Sequence, residues 1–204
     1  MANTGGAVNE GFMEAARSEA AKGLRSMTRG GLLPGVRIYR FASSRRRDRL
    51  FSGPWWFGQS PFDSMKAYAE YTRRPLREVA RECLAVDGPW NDMDFLVSAT
   101  VSRLLATWTG TPLTQSIKTP AFVLPTGDRQ GGHYVRRLEP DRSITQYHIP
   151  GLHEPMSKDW VTGKTLVLRP GWRPASQNEP ATTQPLWQLA LTARQEQPLA
   201  IVRL

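Results

Sequence analysis

One cysteine in 204 residues, Cys83, excludes an intrachain disulfide and any cysteine-cluster metal site. Histidine is scarce too. His133, His148 and His153 lack the spacing that sets two imidazoles on one helical face, so no metal centre is expected. No apolar run approaches the roughly 18–20 residues that span a bilayer, so no membrane span is expected either. The first residues carry no charged segment followed by an apolar one, which argues against a classical secretory signal. The expected location is the cytoplasm, or a target cell reached by delivery without such a signal. A Gly-x-Ser-x-Gly elbow, a Walker phosphate loop and the dinucleotide-binding glycine pattern are all missing. Acidic residues are outnumbered: 18 Asp and Glu against 27 Lys and Arg leave a net charge of +9. That excess favours an acidic macromolecular target, nucleic acid or protein. It leaves the oligomeric state open.

What is present suits one domain with a sizeable core. Hydrophobic residues make up 40% of the chain and seven are tryptophan, each a large area to bury. Cys83 falls on the apolar face of a predicted helix and reads as core rather than nucleophile. The positive charge concentrates early: residues 1–50 hold ten Lys and Arg against four Asp and Glu. The run Ser44-Arg45-Arg46-Arg47-Asp48-Arg49 reads as a solvated loop or as a rim that attracts phosphates.

Periodicity divides the chain. Residues 11–28 read as a helix with Phe12, Ala16, Ala20, Leu24 and Met27 on one face, stopped by Arg29-Gly30-Gly31. Such a helix suits a docking arm, a dimer contact or the end of a delivery segment. Residues 1–30 are therefore set apart as a tail and helix, and 31–204 as a single domain. Val36–Phe41 and Pro54–Phe57 read as strands. Ser60-Pro61 signals a helix start, with serine as N-cap and proline first. That helix carries Phe62, Met65, Ala69 and Thr72 on one face and breaks at Arg73-Arg74-Pro75. A second helix follows with Leu76, Val79, Ala80, Cys83 and Leu84 inward. Asn91 and Asp94 read as the capped start of a third, running to about Trp108 and stopped by Gly110. Beyond it the period changes to two. Phe122–Leu124, His133–Leu138, Ser143–Ile149, Thr165–Leu168, Trp187–Thr192 and Leu199–Leu204 read as strands, the last two as a hairpin. Residues 169–185 are a loop rich in Pro, Ser and Thr. The expected class is α+β, a split and mostly antiparallel β core with helices inserted between early strands and a strand-rich C-terminal half.

The chemistry-bearing stretch is Tyr39-Arg40, then Gly53-Pro54-Trp55-Trp56-Phe57, then a helix containing Ala67-Tyr68-Ala69. An arginine on an apolar strand is costly unless it meets an anion, and the paired tryptophans offer flat surface beside it. Over residues 36–71 this arrangement resembles the front half of ADP-ribosyltransferase-like domains of bacterial toxins, effectors and phage proteins. The resemblance implies an NAD-dependent transferase. Arg40 would hold the NAD phosphates or adjoining ribose. Tyr39, Trp55, Trp56 and Phe57 would line the cofactor pocket, the last three as the strand that floors the nicotinamide. Family members also carry a glutamate on a late strand that holds the nicotinamide ribose. Here the best late strand offers Gln146 instead, flanked by Glu139 and Glu154. A glutamine can hydrogen-bond ribose hydroxyls but brings no full negative charge. Arg40, Gln146 and Glu139 are the catalytic candidates.

Other readings stand beside these. Arg40 pairs with a carboxylate at a strand edge, or anchors an anion. Trp55 and Trp56 form a core corner, or a ligand wall. Gln146 and His148 share one strand face, solvated or functional. Trp90 and Trp108 read as packed helix ends. The alternative function is a non-enzymatic, basic nucleic-acid-binding or mobile-element accessory protein.

Overall fold

A computed structural model describes residues 6–86, 90–119, 134–138, 141, 143–168 and 201–202. The fold is α+β. Its centre is an eight-stranded sheet in which every neighbouring pair is antiparallel. In chain order the elements are α1 (Met13–Gly23), β1 (Leu24–Leu32), β2 (Arg37–Ala42), β3 (Trp55–Phe57), α2 (Gln59–Thr72) and α3 (Leu76–Cys83). Then come β4 (Phe95–Val101), β5 (Leu105–Pro112), β6 (Gln115–Thr119), β7 (Tyr134–Leu138), β8 (Gln146–His148), β9 (Val161–Leu168) and β10 (Ile201–Val202). The sheet order is β10-β1-β5-β8-β3-β2-β4-β9, and β6 with β7 forms a separate ribbon.

The large sheet is nearly two sheets. β2 meets β3 at one ladder pair, Tyr39 with Phe57. The next two positions, Arg40 opposite Trp56 and Phe41 opposite Trp55, form no pair. β2 instead runs its whole length along β4, while β3 runs along β8. The two lips part at this seam, and α2 and α3 leave from β3 and return to β4 beside it.

Strand alternation gives the sheet two faces. One carries Ile38, Ala42, Trp56, Val97, Val101 and Leu105 in the first core. The other carries Tyr39, Phe41, Phe57 and Leu96, covered by Phe62, Met65 and Ala69 of α2 and Leu76, Val79 and Ala80 of α3. These six helix residues are ones the helical period places inward, while Thr72 and Cys83, expected on the same faces, are half-buried. Arg73 ends α2 in the left-handed conformation (φ 53°). The start of α2 differs from expectation: Gly58 is the N-cap, no side chain caps it, and Ser60 lies inside the helix.

Two expected helices are corrected. The helix over 11–28 stops at Gly23, and Leu24 turns to an extended backbone. Leu24–Leu32 is a strand paired with β5 and β10. A bulge between Arg25 and Thr28, with Ser26 at φ 51°, absorbs the misfit. Gly30 belongs inside this strand because an added Cβ would stand 3.0 Å from the Thr109 hydroxyl. A domain boundary after residue 30 therefore falls within a sheet strand. The N-terminal segment is also fastened to its own fold. Buried Asn9 donates to the carbonyls of Ala106 and Pro150, at 2.8 and 3.2 Å, and accepts from the Ala106 amide at 2.7 Å.

The expected third helix, Asn91 to about Trp108, is two strands, β4 and β5. Asn91 and Asp92 accept from the amides two residues on, Met93 and Asp94. These are side-chain turns leading into a strand rather than helix caps. β4 is buried on both faces, so its apolar residues do not alternate. Trp90 is 63% exposed and Trp108 lies on β5, so neither is a helix end. In the second half, β7, β8 and β9 correspond to expected strands, whereas Phe122–Leu124 and Trp187–Thr192 lie outside the described residues. Ile201–Val202 pairs with β1.

Candidate functional site

The parting of β2 from β3 opens a cleft of about 440 Å³. Phe41, Trp55, Phe57 and Gln146 form its floor, Glu19, Lys22 and Gly23 of α1 one wall, and Leu84–Val86 with Trp90, Asn91 and Met93 the other. Arg40 borders it at the seam.

Register explains the floor. Trp55 pairs with His148 and Phe57 with Gln146, so these four side chains share one sheet face. The Trp55 ring lies edge-on to His148 at 4.7 Å, on the side of Gly23. A Cβ at Gly23 would come 2.4 Å from the indole, so glycine in the last turn of α1 makes room for the ring. Phe57 stacks with Tyr39 (6.2 Å) and Phe41 (5.9 Å). Gln146 is 7% exposed, so the face it shares with His148 is buried rather than solvated.

Arg40 and Trp56 root on the opposite face by alternation. The guanidinium lies 5.7 Å from the Trp56 ring centroid and close against Gly53, where a Cβ would clash at 1.8 Å. Its Nη1 donates weakly to the Arg49 carbonyl at 3.4 Å, and its buried Nε has no partner. Among the described residues no carboxylate reaches it. Burial pushes its pKa down to about 10. An arginine held this way keeps its binding capacity for an incoming anion.

Tyr39 sits on the cleft side of the sheet but beneath α2. It is buried and stacked on Phe62 at 4.6 Å, and its hydroxyl hydrogen-bonds to Gln59. It supports the floor rather than facing the opening. Of the residues read from the sequence, Trp55, Phe57 and Gln146 thus come together on the cleft floor; Arg40 lines the edge at the seam with its guanidinium on the opposite face beside Trp56, and Tyr39 backs the floor. Glu139 lies outside the described residues. Glu154 pairs with His153 at 3.1 Å and is not among the cleft-lining residues. Cys83 packs against the α2–α3 core, and burial, helped by Asp141 and Glu82, pushes its thiol up to about 11. It is not a thiolate at neutral pH.

The far wall stores backbone strain. Ala85 (φ 50°) and Met93 (φ 56°) both line the cleft in the left-handed region, which costs on the order of 1–3 kcal/mol each and gathers at functional sites. Asn91 holds this wall by donating to the Phe41 carbonyl at 2.9 Å and accepting from the Met93 amide at 2.8 Å. Asp92 organises the neighbouring arginine turn, accepting from Ser43, from Ser44 and from Arg45 Nε at 2.8–3.1 Å.

Sequence reasoning did not single out Glu19, Lys22 or the Leu84–Val86 wall. Glu19 and Lys22 lie on the polar side of the N-terminal helix, and nothing in their spacing indicates a cleft. No family model, curated protein or solved structure matches the chain.

Proposed function

We propose that the cleft binds NAD and that the chain is an ADP-ribosyltransferase-like enzyme, cleaving the nicotinamide–ribose bond and passing ADP-ribose to an acidic macromolecule. The observation that carries this reading is that Trp55, Phe57 and Gln146 form one floor of the cleft while Arg40, its guanidinium packed at the seam on the opposite face, lines the cleft edge. These are residue types the chemistry asks for. A flat pyridine ring finds the aromatic floor of Trp55 and Phe57. Pyrophosphate would meet Lys22, which lines the cleft, and Arg40 through the gap where β2 and β3 part. The Gln146 amide can hydrogen-bond ribose hydroxyls. The seam between β2 and β3, with α2 and α3 inserted next to it, agrees with the split core that the resemblance implies.

The reaction breaks the bond from ribose C1′ to the nicotinamide nitrogen. The electron pair leaves with nicotinamide, and the cationic ribose is captured by a nucleophilic oxygen or nitrogen of the acceptor, which releases a proton to solvent. Hydrogen bonds and negative charge beside C1′ lower the barrier, and the aromatic walls exclude water. Incubation with NAD, following free nicotinamide, tests this. Wild type releases it and Arg40→Ala loses the activity; a wild type that neither binds NAD nor releases nicotinamide overturns the reading.

A second reading is favoured by the exposed turn Ser44–Arg49, which presents Arg46, Arg47 and Arg49 to solvent. It would bind nucleic-acid backbone, with affinity falling steeply as salt rises. Under the enzyme reading the same arginines would attract an acidic acceptor to the seam.

A further inference from the structure

A cationic ribose calls for a carboxylate, and the late strand provides an amide at Gln146. Among the described residues lining the cleft, one is acidic: Glu19, on α1. Its Oε1 stands 3.7 Å from Nε2 of His148. His148 is the other observation. It is 1% exposed, and both ring nitrogens are sealed from solvent with no hydrogen-bond partner. A buried imidazole without partners loses the hydration of two polar atoms, which asks for an explanation. Trp55 on β3 and Trp108 on β5 are its strand neighbours, and Glu19 is the charged group that faces it.

We propose that Glu19 is the catalytic carboxylate of this cleft and that His148 positions it. The proposal rests on the NAD reading of the site. The arrangement has a chemical logic. Glu19 is more than half exposed and lines the cleft on the same helix whose Gly23 packs against the Trp55 ring. Its side chain is long and free to turn on a helix surface. His148 Nε2 stands 3.7 Å from one carboxylate oxygen, close enough for a small shift to bring a hydrogen bond, and leaves the second oxygen for ribose. When the C1′–N bond breaks, the electron pair goes to nicotinamide and Glu19 neutralises the charge left on ribose. No proton need move to Glu19 in that step. The negative charge thus comes from the N-terminal helix, and Gln146 contributes the hydrogen bond.

The test separates this idea from its premise by two measurements on the full chain. The first needs no ligand: the imidazole resonances of His148 are titrated by NMR in wild type and Glu19→Gln. Pairing requires the His148 titration to move to lower pH in the variant. An unchanged titration overturns the positioning role. The second compares NAD binding by calorimetry with nicotinamide release. Glu19→Gln is expected to bind NAD within about threefold of wild type and to release nicotinamide at least about 100-fold more slowly, the usual effect of removing a transition-state partner. Glu19→Asp, which keeps the charge, should recover part of the rate. Full-rate release by Glu19→Gln overturns the catalytic role while leaving the NAD reading intact. A wild type that neither binds nor cleaves NAD overturns both.

Discussion

Replacing Arg40 by methionine separates what the guanidinium costs the fold from what it gives the site. Methionine keeps most of the stem's packing and removes the charge. The fall of the Arg40 pKa to about 10, from an ordinary value above 12, corresponds to about 3 kcal/mol against the charged form. Against this stand the contact with Trp56, about 0.5–2 kcal/mol, and one long hydrogen bond to the Arg49 carbonyl. With no carboxylate among the described residues to leave behind, the substitution creates no new unpaired charge there, the circumstance in which an apolar replacement stabilises. Arg40→Met is therefore expected to raise unfolding free energy by about 1–2 kcal/mol, a rise in Tm of roughly 2–8 °C for a chain of this size. Urea unfolding read by circular dichroism gives the free energy directly. A ligand arm completes it. Millimolar NAD should raise the Tm of wild type through binding to the folded state alone and leave Arg40→Met unmoved. Destabilisation of the variant by more than about 1 kcal/mol would refute the reasoning, because it would mean that Arg40 is a satisfied structural group.

Three further outcomes follow from neighbouring features. Gly23→Ala forces the Trp55 indole from under α1, and nicotinamide release should fall by about 10- to 100-fold, with a stability loss of about 1–3 kcal/mol by chemical denaturation; normal release would show that the ring's place is unimportant. Burial holds the His148 imidazole below its ordinary range, with Glu19 pulling the other way. The unfolded chain then takes up its proton at higher pH than the folded one, so stability is full above about pH 6.5 and declines as pH falls through it. His148→Phe should flatten that decline between pH 7.5 and 5, and equal slopes would refute the assignment. Burial alone would raise Asp92, but hydrogen bonds from Ser43, Ser44, Asp94 and Arg45 outweigh it and hold the carboxyl well below the usual carboxylate range. Its contribution is present above about pH 4 and lost as pH drops below. Asp92→Ala should cost about 1–3 kcal/mol, measurable in urea at pH 7.

Much of the site's immediate neighbourhood was legible from local sequence. Val36–Phe41 and Pro54–Phe57 read as strands because their apolar and aromatic residues suit a half-buried pleat. The two helices that follow announce themselves by a 3.6-residue period and by Arg73-Arg74-Pro75 between them. Arg40 drew notice because charge on such a strand demands an anion, and Gln146 because the best late strand offers it where the resembled family carries a glutamate. Each of these inferences uses residues within one element.

Elsewhere, partners distant in the chain decided the outcome. Leu24–Leu32 has the glycines of a helix stop, yet it becomes a strand because β5 lies alongside and Gly30 fits against Thr109. Residues 95–101 place apolar side chains at helical intervals, yet pairing with β2 and β9 buries both faces and makes them a central strand. The seam between β2 and β3 cannot be read from either strand alone: it exists because β2 pairs along its length with β4, and β3 with β8. Glu19 reaches the cleft only because α1 packs beside β3 with Gly23 against Trp55. The local pattern marked which segments carry paired tryptophans and an arginine on an apolar strand. Long-range pairing decided that these meet across an open seam and which acid faces them, because backbone hydrogen bonds between strands and the burial they permit are collective properties of the folded chain.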